Sequence, residues 1–171
     1  LPDGIAVGDA LDIDLTRATR WQPRPAPAWN AAIGAAALAR LRAAAIERLP
    51  QDGFACVLDP ERERGPAIEA LTGWLAAPDG TPGAAAGLIG LGPGLTPSGD
   101  DLIGGALCAL HATGRADLAA HLAAWALPLA KSGTNRISQA HLACAAEGEC
   151  GEAVNDAIVA LIKGELPDLA R

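Results

Sequence analysis

From Gly99 to Lys163 the chain is dominated by Ala and Leu at three- and four-residue spacing, with breaks at Gly114, Gly133 and Gly148. That rhythm constrains the fold more than anything else in the sequence. Apolar residues on a 3.6-residue period build helices with one buried stripe. Gly just past such a segment suits the left-handed residue that closes a helix. The spacing predicts helices over 99–113, 115–130, 134–147 and 151–163. Half of the residues are hydrophobic, yet there is one Phe, no Tyr and four Trp. Small side chains let helices approach closely, so a compact helical body is expected.

The first residues read differently. Ile5–Val7 and Leu11–Leu15 alternate apolar with small or polar residues, the period of half-buried strands, with a turn at Gly8-Asp9. Pro23, Pro25 and Pro27 make a stiff connector that is not helix. A helix is expected from Trp29 to about Leu49, stopped by Pro50 and Gly53. Phe54–Leu58 reads as a short strand, although a buried helical turn has the same apolar run. Pro66–Leu75 is a helix with Pro in its first turn, and Thr81–Ile89 is a further helical stretch. Strands followed by helices give an α+β class: short N-terminal strands and a predominantly helical C-terminal body in one domain, 1–171. Residues 1–28 form its β-rich part and 29–171 its mostly helical part. The chain has no Met, so Leu1 is expected not to be a native start and an N-terminal piece to be missing.

A formal charge of −7, with Arg scattered and only Lys131 and Lys163 as lysines, argues against a nucleic-acid partner. No apolar run reaches the roughly 18 residues of a membrane span, and no secretory signal pattern is visible. Cys56, Cys108, Cys144 and Cys150 have neither Cys-x-x-Cys nor metal-ligand spacing, and they read as small hydrophobes in a reducing cytoplasm.

Gly90-Leu-Gly-Pro-Gly-Leu-Thr-Pro-Ser-Gly-Asp-Asp101 is the densest chemical signal. Its glycines let a ligand approach the main chain, and Pro93 and Pro97 limit the conformations of the loop. Free amides at the helix start attract anions. Gly92, Gly94, Thr96, Ser98 and Gly99 are therefore candidate substrate-binding residues. Ser98 is expected as N-cap with Asp101 in a capping-box position. Asp100 and Asp101 would repel a phosphate on the first helical turn. Three arrangements stay open. The anion sits on the amides before Ser98, or Mg²⁺ or a substrate amine lies between, or the carboxylates only cap. The run lacks the Lys of a P-loop and the spacing of a dinucleotide fold. Gly104 and Gly105 follow one turn later, and close packing is the expected reason for them.

Thr134, Ser138 and His141 share one face of the next helix, with Arg136 beside them as a carboxylate or phosphate ligand. Capping by Ser132 or Thr134 is the plainer reading of that cluster. If the two polar clusters face each other, they bracket a small anionic site. His111 ends a helix, where it complements the dipole, and His121 lies on a surface-like face.

The glycine run resembles the signature of the AllH-type family. Thr134-Asn-Arg-Ile-Ser-Gln-Ala-His-Leu142 with Ala-Ala-Glu-Gly148, and less specifically Leu15–Pro23, also fit; the strong resemblance covers about residues 87–162. The resemblance implies a subunit of a carbamoyltransferase that moves a carbamoyl group from carbamoyl phosphate to oxamate, with companion subunits. A loop for phosphate, an Arg for the oxamate carboxylate and hydroxyls for the carbamoyl oxygen would suit that chemistry. The expected catalytic residues are Asp100, Asp101 and His141, and Thr134, Arg136 and Ser138 join the loop residues as expected substrate ligands. The alternative is a non-catalytic anion-binding or scaffold subunit.

Overall fold

The computed structural model describes residues 4–7, 9–19, 23, 25–45, 54, 57–59 and 61–167. Strand β1 (Gly4–Val7) pairs antiparallel with β2 (Leu11–Asp14), with Ile5 opposite Ile13 and Val7 opposite Leu11. Gly8, half of the expected turn, lies outside the described residues. The strands form a bare hairpin, and Ile5, Leu11 and Ile13 are exposed.

Helix α1 (Ala31–Ala45) starts where the Asn30 side chain accepts from the amides of Ala32 and Ile33, at 3.0 and 3.1 Å. That cap sets its start two residues after Trp29, and the expected end at Leu49 lies outside the described residues. The proposed strand at 54–58 is not seen in its described part. Phe54 O accepts from Val57 N at 3.0 Å, a helical-type turn, so the local i→i+3 bond wins over the apolar run. Cys56 lies outside the described residues.

Helix α2 (Pro66–Ala76) packs on a 3-10 segment, Gly83–Leu88. Four helices follow: α3 (Ser98–Ala112), α4 (Ala116–Gly133), α5 (Arg136–Ala146) and α6 (Glu152–Lys163). Helices α3, α4 and α5 pack pairwise, α6 lies against α1 and α3, and the core runs through Ile68, Leu71, Leu88, Ile103, Leu107, Leu122 and Leu142. Alanines 119, 126 and 145 fill the contacts, which brings the helix backbones close together. An Arg40 guanidinium nitrogen donates to Gly164 O, tying α1 to the end of α6.

Gly114 and Gly148 are left-handed, as expected, but Gly133 is not. Helix α4 continues through Pro128 to Gly133, past the expected end at 130. A Cβ on Gly133 would meet Ile89 Cγ2 at 2.6 Å, so glycine is there for close approach and not for φ. No helix among the described residues is long and apolar enough to cross a membrane.

Candidate functional site

Asp100 is the centre of the polar architecture. It stands at the third residue of α3 and is only 2% exposed. Its Oδ1 accepts from Gly90 N at 2.8 Å, and its Oδ2 accepts from Thr134 Oγ1 at 2.5 Å and Ser138 Oγ at 2.6 Å. These short bonds to a charged acceptor are the strong kind. The two polar clusters of the sequence therefore meet face to face, with a carboxylate between them. Ser138 reaches Asp100 from the first turn of α5, and Thr134 reaches it from the extended residue that ends α4.

The expected caps differ. Helix α3 begins at Ser98, with Pro97 as the flanking residue and no side-chain cap; Asp100 N and Asp101 N donate to Pro97 O at 2.9 and 3.0 Å. The Ser98 capping box is thus not formed, because the proline carbonyl takes the first-turn amides. Neither Ser132 nor Thr134 caps α5. The Asn135 side chain does so, accepting from Ile137 N and Ser138 N at 3.0 and 3.1 Å. Thr134 is diverted to Asp100. Asn135 was legible as a good cap residue in the sequence, but the hydroxyls on either side masked it.

The loop is shaped by close approach. Gly90 takes φ +73°, and a Cβ there would meet Gly133 O at 2.2 Å. A Cβ on Gly99 would meet Leu88 O at 1.9 Å. Among the described residues, the amides of Gly92, Gly94, Leu95, Thr96 and Ser98 find no acceptor within the chain. Gly90, Gly92, Gly94, Pro97, Ser132, Gly133, Thr134 and Asn135 line a shallow cavity of about 330 Å³ beside them.

A larger groove of about 690 Å³ opens on the other side of Asp100, between α3, α5 and the start of α6. Asp101, Gly104, Gly105 and Cys108 line it from α3; Ser138, His141, Leu142, Cys144 and Ala145 line it from α5. Burial pushes the Asp101 carboxyl above its usual range, the facing His141 pulls it part of the way back, and neighbouring Asp100 adds to the rise. Cys108 is buried at the floor, and burial together with the adjacent Cys150 thiol pushes its pKa up to about 12. Gly104 and Gly105 do not serve tight packing. A Cβ on Gly104 would touch Ala145 at an ordinary 3.7 Å, and one on Gly105 would meet nothing within 4 Å. Their missing side chains form part of the groove instead.

Of the candidate residues, Gly92, Gly94 and Thr134 line the shallow cavity, Asp101 and His141 line the groove, and Asp100 and Ser138 sit at the junction and line the groove. Thr96, Ser98, Gly99 and Arg136 line neither. Arg136 is exposed at the first residue of α5. Cys108, Glu149 and Cys150 line the groove unexpectedly, although 101, 104, 105 and 108 share a helical stripe that points to it. His111 Nε2 lies 2.9 Å from Ala146 O, where it links α3 to the end of α5, and His121 is exposed. Among the described residues no group of three or more His, Cys, Asp or Glu could hold a metal ion.

No curated protein and no solved structure matches this chain. A family model described as oxamate carbamoyltransferase subunit AllH matches residues 88–170, from the end of the 3-10 segment past α6. The junction at Asp100 and the described lining residues of both cavities fall within that match. Over residues 88–170 the chain is thus similar to the AllH family, in line with the resemblance carried by the glycine motif.

Proposed function

We propose that this chain is a carbamoyltransferase subunit that binds a small phosphate- or carboxylate-bearing substrate at the glycine loop, with carbamoyl phosphate and an oxamate-like acceptor as the pair. The observation that carries the reading is the set of unpartnered loop amides beside the 330 Å³ cavity, held in place by the Asp100 bond to Gly90. Amides fixed before a ligand arrives bind an anion with little reorganisation. The family description supports the transferase part of the reading.

In this reading the acceptor nitrogen attacks the carbamoyl carbon, the bond to the phosphate oxygen breaks, and one N–H proton is lost. Asp101 and His141 face the nitrogen end and take that proton. Asp100 acts as a positioning residue, since both of its oxygens already accept hydrogen bonds. Mg²⁺ would accompany the phosphate, and among the described residues no carboxylate lines the loop cavity to hold it. Arg136, exposed at the start of α5, supplies a cation from outside the cavity walls, and the companion subunits complete the site.

Calorimetry of the complex reconstituted with its companion subunits tests the reading. Carbamoyl phosphate is expected to bind, and Arg136→Ala and Thr96→Ala to weaken binding by roughly tenfold, about the contribution of one charge-assisted contact. No detectable binding by the intact complex would sink it. A non-catalytic subunit is the second reading, because among the described residues no Lys or Arg lines either cavity to stabilise the charge of a departing phosphate. Binding without turnover in the complete complex would select that version.

A further inference from the structure

The groove between α3, α5 and α6 does not suit the anions that the loop cavity does. Three carboxylates stand in its walls, Asp100, Asp101 and Glu149, and among the described residues no Lys or Arg lines it. The Asp100 charge is answered by three hydrogen-bond donors, but Asp101 and Glu149 are exposed to the groove with no hydrogen bond or ion pair between them and a cation. An anion placed there would meet uncompensated like charge.

Its size points the same way. A volume of about 690 Å³ lies in the range of pockets for drug-sized ligands. Oxamate, with only a few heavy atoms, would leave most of it empty. Much of the wall is apolar: Gly104, Gly105, Leu142, Ala145 and Val154. The glycine pair inside α3 is costly to the helix, by about 1 kcal/mol per residue relative to Ala, and Gly105 faces open space. A methyl group there would improve the helix and narrow the groove.

We propose that this groove binds an organic cation, a primary ammonium on an apolar body, with its charged end at Asp101 and its body along Gly104, Gly105, Leu142 and Ala145. Such a ligand matches the sign of the walls, fills the volume and buries its apolar part. It does not rest on the carbamoyl-transfer reading, whose acceptor is oxamate-like. Its binding stands apart from that reading.

The test titrates the full chain with n-hexylammonium, 1-hexanol and hexanoate, three probes of one length and different charge. Saturable binding of n-hexylammonium is expected, with 1-hexanol weaker and hexanoate not detected. Asp101→Asn should weaken n-hexylammonium roughly tenfold, as for the loss of a charged partner. Gly105→Leu should abolish binding while leaving the melting temperature unchanged or higher. Equal binding of hexanoate, no saturable binding of n-hexylammonium, or unchanged affinity in both variants would overturn the proposal. Carbamoyl phosphate titrated into the same variants separates the two ideas, because its failure to bind removes the transferase reading and leaves the groove untouched.

Discussion

Replacing Asp100 by Ala would leave the Gly90 amide and the hydroxyls of Thr134 and Ser138 without their acceptor in a largely buried junction. Leaving buried donors without an acceptor, and losing bonds to a charged group, should cost about 3 kcal/mol in urea unfolding. A loss below about 1 kcal/mol would mean that water or a rotated hydroxyl replaces the carboxylate. Asp101 behaves in the opposite sense. Its folded-state pKa is raised, chiefly by burial, so it favours the fold when protonated. That contribution is complete below its unfolded pKa and disappears as pH rises through the folded value. Asp101→Asn should therefore melt higher than the parent at pH 7, with the gap closing on acidification toward the ordinary carboxylate range. Thermal melts at several pH values check this, and a gap that widens in acid would contradict the assignment. Neighbouring carboxylates of identical sequence character thus end in different roles. The sequence shows the pair, but only the packing of α5 against α3 decides which one is buried.

At the level of elements, the helical pattern was readable because Ala and Leu spacing is a local property. The expected spans for α2, α3 and α6 agree with the structure to within a residue or two. Starts and stops were less readable, since side chains compete for the same amides. Thr134 and Ser138 look like capping residues but serve Asp100, which lies 34 and 38 positions away. No local rule registers such a partner. Asn135→Ala should destabilise by about 1 kcal/mol through the lost cap of α5, and Ser132→Ala should be near neutral, since Ser132 does not cap the helix. Paired chemical denaturation curves would measure both. Equal losses would restore the original assignment. Gly104 and Gly105 show the same gap in a different form, because adjacent glycines look alike whether they admit a neighbouring helix or leave a space.

Across the whole molecule, stability is concentrated where α3, α4 and α5 meet under the 3-10 segment. The hairpin has exposed apolar side chains on both strands and gains little from burial. Native-state hydrogen exchange should find Ile103, Leu107, Leu122 and Leu142 opening only with global unfolding, and the strand amides exchanging far faster. Matching protection in the hairpin would show that it is covered in solution. Asp100 has a further consequence at this scale. One of its oxygens restrains the loop beside the small cavity, and the other holds Thr134 at that cavity and Ser138 at the groove. A ligand that shifts this carboxylate from one side changes the energy of occupancy on the other, and linkage requires that effect to be equal in both directions. The two chambers share a wall, and what is said through it from one side must be heard with the same force from the other.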